Sequence, residues 1–143
     1  MIGLIISGHG HFASGLKTSL HLIAGECEYV EFVDFEASDS TDDLKAKYYE
    51  ALENLKDCDS FLALADLPGG SPFKTLVEVK FETGKDIEVI SGTNLPMVLE
   101  AATDKDSYDD VASFADTILE TGKDGIVKYE YVARTEVACE DGI

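Results

Sequence analysis

The chain has 143 residues, of which 45% are hydrophobic, and its formal net charge at pH 7 is −18. This length and apolar content predict one domain over residues 1–143 with a sizeable core, and they argue against intrinsic disorder. The acidic excess disfavours nucleic acid and anionic membranes as partners, because both attract clusters of lysine and arginine. The sequence has neither a membrane-length apolar run nor a basic leader, so we expect a cytoplasmic protein.

Four apolar segments predict β-strands. They are, in chain order, Ile2–Ser7, Tyr29–Phe35, Ser60–Ala65 and Asp86–Ser91. The first and third are almost wholly apolar, which is typical of central strands covered on both faces. A late segment, Ile126–Val132, alternates apolar and polar residues and predicts a further strand at the sheet edge, with a tail over about residues 133–143.

Helical patterns lie between the predicted strands. Gly25 and Gly84 mark the ends of the first and third helices, and Ser40 with Asp43 forms a capping-box pattern at the start of the second. Ser71-Pro72 predicts the start of the third helix, with the serine as its N-cap. The two remaining predicted helices span Pro96–Ala102 and Tyr108–Thr121.

This alternation predicts an α/β domain with a parallel sheet and helices on both faces. Ligands of such sheets bind at the carboxyl ends of the strands. Three loops follow predicted strands there, with the sequences "GHGH", "DLPGGSP" and "GTNLP". If the first and third strands are neighbours, His9 and Asp66 leave the sheet side by side.

His9 is the first candidate for chemistry, because it lies between Gly8 and Gly10 and its ring is open to close approach. Asp66 is placed to accept a hydrogen bond from one ring nitrogen, which leaves the other nitrogen as a nucleophile. Ser71 begins a helix whose unpaired N–H groups favour an anion. The three loops contain no lysine or arginine, so a nucleotide polyphosphate is disfavoured, whereas one phosphoryl group on a histidine is compatible with them.

Two other chemistries stay open on the residues alone. A metal-binding module would use His9, His11 and Asp66, although the flanking glycines and the lack of further ligands weaken it. A hydrolase would use Ser71, His9 and Asp66, but "GGSPF" lacks the second glycine of the G-x-S-x-G pattern. His11 itself is expected at the rim of the first helix.

Three motifs, "IISGHGHFASGL", "DLPGGSPF" and "GTNLPMVLEA", occur in this order along the chain. Together they resemble the mannose-family enzyme IIA components of the bacterial phosphoenolpyruvate-dependent sugar phosphotransferase system. The resemblance extends to about residue 130. It implies a phosphotransferase with a phosphohistidine intermediate that works without a metal or cofactor.

The resemblance also implies roles for individual residues. His9 would take a phosphoryl group from the histidine-containing phosphocarrier protein and pass it to a histidine of a IIB component, while Asp66 orients the imidazole. The phosphoryl group would be supported by Ser71, Gly69, Gly70 and Gly10. The membrane IIC and IID components would be indirect partners, and nucleic acid would not be a partner.

The fold implied by the resemblance is a three-layer, mostly parallel sheet of order 2-1-3-4 with helices on both faces. The final strand, here Ile126–Val132, would be exchanged between the subunits of a homodimer.

Overall fold

The computed structural model of the protein describes residues 1–133. The strands are β1 (Ile2–His9), β2 (Val30–Phe35), β3 (Ser60–Leu64) and β4 (Asp86–Ile90). The helices are α1 (Phe12–Ala24), α2 (Thr41–Asn54), α3 (Ser71–Thr83), α4 (Leu95–Asp104) and α5 (Val111–Asp124), with a 3-10 turn over Lys105–Ser107. The four main strands and five helices predicted from the sequence are confirmed. Helix α5 begins later than predicted, because the Asp110 side chain caps it by accepting hydrogen bonds from the backbone N–H groups of Ala112 and Ser113.

The four strands form one parallel sheet in the order β2-β1-β3-β4, as the resemblance implied. Strand β1 pairs with β2 on one side and with β3 on the other. Every residue of β3 is buried, and so is all of β1 except His9 at its carboxyl end. The two central strands therefore end at the same edge of the sheet, and His9 emerges from the core there.

Helices cover both faces of the sheet. On one face α1, α4 and α5 pack against alternate residues of the central strands, including Leu4 and Leu62. On the other face α2 and α3 pack against the intervening residues, including Ile5 and Ala63. This arrangement confirms the three-layer α/β fold, because each central strand buries both of its faces.

Most predicted helix ends are also confirmed. The backbone N–H of Asp43 donates to Ser40 Oγ at 3.0 Å, and the backbone N–H of Ser40 donates to Asp43 Oδ2 at 2.9 Å, which completes the capping box of α2. Gly84 ends α3 in the left-handed conformation. The predicted cap of α3 is wrong by one residue, because Gly70 is the N-cap and Ser71 is already helical.

The late strand predicted over Ile126–Val132 is wrong for the single chain. The described residues after α5 have no regular secondary structure, and the five large apolar side chains of this segment are 60% to 83% exposed. A strand needs a neighbour for its backbone hydrogen bonds, and over the described residues this segment pairs with no other strand. Most of the predicted tail, residues 134–143, lies outside the described residues. Over the range that is described, no helix combines the length and apolar character needed to cross a bilayer.

Candidate active site

The pairing of β1 with β3 brings His9 and Asp66 together, although they lie 57 positions apart in the sequence. The His9 Nδ1 atom lies 2.8 Å from Asp66 Oδ2. The same oxygen accepts the backbone N–H of His9, also at 2.8 Å. Because one carboxylate oxygen holds both the backbone and the ring of His9, the imidazole is fixed in position and in tautomer.

The Asp66 carboxylate is held in its ionised form. Its side chain is only 12% exposed, and this burial pushes its pKa upward. Hydrogen bonds from the backbone and the ring of His9 and from the backbone N–H of Leu67, which lies 2.8 Å from Asp66 Oδ1, outweigh the burial. The pKa of Asp66 is therefore below its ordinary value, and the ionised carboxylate accepts a hydrogen bond from His9 Nδ1–H.

The His9 side chain is partly open to solvent. The His9 side chain is 45% exposed, and the edge of its ring packs against Phe35, with ring centroids 5.8 Å apart. Within the described residues, the ring of His9 makes its hydrogen bond through Nδ1, and Nε2 makes none. A neutral imidazole that donates from Nδ1 has its lone pair on Nε2, so Nε2 is the ring atom that is available to act as a nucleophile.

Two glycines allow the close packing around His9. A Cβ atom on Gly70 would lie 3.0 Å from His9 Cε1 and 3.7 Å from Nε2, so the start of α3 touches the ring. A Cβ atom on Gly8 would lie 2.5 Å from a ring carbon of Phe12 and 2.9 Å from Asp66 Cγ. Side chains at either position would displace the ring or its carboxylate partner.

The two remaining glycines of the predicted site shape its turns. Gly10 has φ +60° and Gly69 has φ +73°, a conformation that favours glycine. Neither would contact another residue through an added Cβ. They therefore contribute backbone conformation to the two loops rather than contacts with the ring.

Ser71 lies in the first turn of α3, next to Gly70 and half-buried. No hydrogen bond joins its hydroxyl to His9 in the part of the chain that the structure describes. The arrangement therefore lacks the serine–histidine contact that the hydrolase alternative requires.

His11 is directed away from the His9–Asp66 pair. Its Nε2 atom lies 3.1 Å from Glu36 Oε1, and both side chains are exposed. His9 contacts Asp66 and His11 contacts Glu36, so the three residues of the predicted metal site do not form one cluster. Among residues 1–133 no group of three or more histidine, cysteine or carboxylate side chains is arranged to hold a metal ion.

Sequence reasoning missed Phe35 and Gly8 as neighbours of the His9 ring and its partner. Neither carries a local signal, since both contacts depend on how β1 lies against β2 and α1. It also missed Ser7, whose hydroxyl is completely buried. A signal was present there, because a hydroxyl within an otherwise apolar central strand requires a hydrogen-bond partner.

Fold and site together define a class of protein: an α/β domain that presents one carboxylate-held histidine to solvent at the carboxyl edge of a parallel sheet. Comparison with known proteins identifies the family within that class. A sequence model of the EIIA-man family, described as the PTS system fructose IIA component, matches residues 3–119. The chain belongs to this family of phosphotransferase-system components.

Individual relatives agree with this assignment. The chain is 33% identical over 128 residues to the PTS system mannose-specific EIIAB component of Escherichia coli K12, an alignment that covers 87% of this chain and 38% of that protein. The chain thus spans well under half the length of this relative. It is 35% identical over 100 residues to the PTS system fructose-specific EIIA component of Bacillus subtilis, covering 70% and 68% of the two chains.

Solved structures share the fold. The phosphotransferase system component EIIA from Streptococcus agalactiae superposes with a TM-score of 0.82 at 36% identity, covering 90% of this chain and 97% of that one. The mannose/sorbose-specific IIA subunit from Enterococcus faecalis also gives a TM-score of 0.82, at 26% identity and with 93% and 98% coverage.

Proposed function

We propose that this protein is a phosphoryl carrier in sugar uptake, which accepts a phosphoryl group on His9 Nε2 and passes it on. The observation that carries the proposal is the 2.8 Å contact between His9 Nδ1 and Asp66 Oδ2, which leaves Nε2 unbonded on a side chain that is 45% exposed. The donor is the histidine-containing phosphocarrier protein, and the acceptor is a IIB component.

When His9 accepts the phosphoryl group, the nitrogen–phosphorus bond of the donor histidine breaks as a new one forms to His9 Nε2. His9 keeps its Nδ1–H hydrogen throughout, so the phosphorylated ring carries a positive charge. The ionised Asp66, which accepts that hydrogen, offsets this charge. When the phosphoryl group passes on to a histidine of the IIB component, its bond to His9 Nε2 breaks and the His9 ring becomes neutral again. Neither transfer requires a metal or a cofactor.

The start of α3 is the proposed support for the phosphoryl oxygens. Gly70 lies against the ring on the side of Nε2, and the first N–H groups of a helix have no partners within the helix. These N–H groups and the helix dipole favour an anion there. Ser71 adds a hydroxyl in the same turn, while Gly69 and Gly10 provide the loop conformations that leave the phosphoryl group accessible.

Exposure of the site suits a carrier with two partners, because both must reach the same ring nitrogen. Leu67, next to Asp66 in the sequence, is 55% exposed and offers an apolar contact beside the ring. The net charge of −18 favours fast association with a basic partner. The membrane IIC and IID components would be indirect partners, reached through IIB, and a carrier of this kind would work in the cytoplasm.

The proposed homodimer uses the segment Ile126–Val132 as an exchanged strand. Strand β4 has a neighbour on one side only, β3, so its other edge offers unpaired backbone groups. The lining of a surface groove beside that edge includes the apolar side chains of Phe73, Val89 and Leu119 together with the carboxylates of Glu88 and Asp116. The alternating apolar side chains of the segment from the partner subunit would cover this groove.

The test is phosphorylation by phosphoenolpyruvate, enzyme I and the phosphocarrier protein. The wild type should gain the mass of one phosphoryl group, in an acid-labile form, and pass it to a IIB component. His9→Ala should gain none, whereas His11→Ala, a histidine two positions away whose ring faces Glu36, should still be phosphorylated. Stable phosphorylation of His9→Ala would show that another residue is the acceptor, and an unmodified wild type would refute the proposal.

A further inference from the structure

A buried hydrogen-bond network lies between the strand that carries His9 and the helix that begins beside it. The Tyr48 hydroxyl on α2 lies 2.7 Å from Ser7 Oγ on β1, and Ser7 Oγ donates to the Val33 carbonyl oxygen on β2 at 2.8 Å. The Tyr48 hydroxyl also lies 3.3 Å from the Pro72 carbonyl oxygen in the first turn of α3. Tyr48 and Ser7 are completely buried, so one point joins four elements of the fold.

Counting donors assigns the hydrogens of this network. Ser7 Oγ donates its single hydrogen to the Val33 carbonyl oxygen, so the single hydrogen of the Tyr48 hydroxyl is shared between Ser7 Oγ and the more distant Pro72 carbonyl oxygen. Burial raises the pKa of Tyr48 well above its ordinary value, and the nearby charge of Asp66 adds to the effect. Tyr48 is therefore a neutral hydrogen-bond donor throughout the physiological pH range.

The network lies close in sequence to His9 on β1 and to Gly70 at the start of α3. Ser7 and His9 project from the same face of β1, because alternate residues of a strand point the same way. Pro72 lies two residues after Gly70, whose Cα faces the His9 ring. The Tyr48 hydroxyl thus contacts a residue two positions from His9 on one side and a residue two positions from Gly70 on the other.

We propose that Tyr48 is a positioning residue for phosphoryl transfer, which sets the location of the first turn of α3 relative to His9 Nε2. This inference rests on the proposed function, in which N–H groups of that turn hold the phosphoryl oxygens. Such donors act only at hydrogen-bond distance and in the right direction, so a small shift of the turn weakens them. Tyr48 itself touches neither the phosphoryl group nor the partner.

The test compares Tyr48→Phe with Tyr49→Phe, which removes a hydroxyl from the next residue of the same helix. The Tyr49 hydroxyl is its matched control, because it donates to Glu82 at 2.8 Å on the exposed surface of the protein. Tyr48→Phe should lower kcat for phosphoryl acceptance by roughly three- to tenfold, the equivalent of one neutral hydrogen bond, with KM for the phosphocarrier protein unchanged. Phosphorylated His9 should also hydrolyse faster in this variant, and Tyr49→Phe should match the wild type in both measurements.

Ser7→Ala provides a second test of the same network if Tyr48→Phe folds poorly. Ser7→Ala removes the nearer partner of the Tyr48 hydroxyl but leaves its contact with Pro72, so it should lower kcat by less than Tyr48→Phe does. The double variant should be no slower than Tyr48→Phe alone, because that substitution already removes the contact with Ser7. Assays well below the melting temperature of each variant separate positioning from stability. A lower melting temperature with unchanged kcat and unchanged phosphohistidine lifetime would overturn the inference, as would equal slowing in Tyr49→Phe. Failure of the wild type to be phosphorylated would instead refute the proposed function.

Discussion

Asp66→Asn is the substitution that most directly tests how His9 is activated. Asp66 Oδ2 accepts two hydrogens from His9, and Oδ1 accepts one from the backbone of Leu67, each at 2.8 Å. Asparagine has one acceptor oxygen, and its NH2 group must face either the two His9 donors or the Leu67 donor. In either orientation the NH2 group of the asparagine faces another N–H donor, so at least one hydrogen bond of the site is lost. The substitution also removes the negative charge that offsets the charge of the phosphorylated ring.

The size of the effect follows from the charged hydrogen bond. A hydrogen bond to a charged group contributes about 1.5–3 kcal/mol. Since about 1.4 kcal/mol of transition-state free energy corresponds to a tenfold change in rate, loss of this bond predicts a rate reduced roughly 10- to 100-fold.

Single-turnover phosphorylation by the phosphorylated carrier protein, followed by acid-free mass measurement, gives this rate. Asp59→Asn is the control, because it removes the same charge from an aspartate that is 86% exposed and pairs with the chain amino terminus at 3.0 Å. The control should react at the wild-type rate. If Asp66→Asn reacted within about twofold of wild type, the carboxylate would contribute too little to be the group that orients the ring.

Three further outcomes are expected. Gly70→Ala should slow phosphorylation with little loss of stability, since the added Cβ would lie 3.0 Å from His9 Cε1. Gly15→Ala is the control and should leave the rate unchanged, because a Cβ there would have no neighbour within 4 Å. Equal rates in the two variants would contradict the close approach of α3 to the ring. The pKa of Asp66 is lowered in the folded state, so its contribution to stability is present above the ordinary aspartate pKa and is lost as the pH falls through the folded value. The difference in unfolding free energy between wild type and Asp66→Asn, measured by denaturant titration, should therefore shrink from about pH 5 downward, and a difference independent of pH would contradict it. The proposed homodimer predicts that the intact chain is a dimer by light scattering and that deletion of residues 126–143 gives a folded monomer. A truncated chain that stayed dimeric would argue against an exchanged strand.

Local signals in the sequence carried much of the fold. The apolar runs of β1 and β3 identified the central strands, because a strand buried on both faces has no polar side to show. Ser40 with Asp43 located the start of α2, since a capping box acts within four residues of chain. These features depend on neighbours in the sequence, so the sequence displays them directly.

The site was only partly visible in the sequence. His9 between glycines and Asp66 before Pro-Gly were recognisable as candidates from the order of their loops. Their partnership rested on whether the first strand lies beside the third, which the residues alone left open and the resemblance supplied. The sequence pattern assigned the N-cap of α3 to Ser71, whereas the structure has Gly70 in that position. The reason for a glycine there is its packing against the His9 ring, which the sequence does not display.

What the sequence by itself determined, then, is where strands and helices form and which side chains stand at the carboxyl ends of the strands. Only the tertiary structure decided that residues 57 positions apart share a hydrogen bond and that the Tyr48 hydroxyl meets Ser7. It also decided that the alternating segment after α5 is not a strand in a single chain. The physical reason is common to all three: pairing between distant segments depends on which backbones and side chains come to lie side by side, and no local pattern encodes the neighbour.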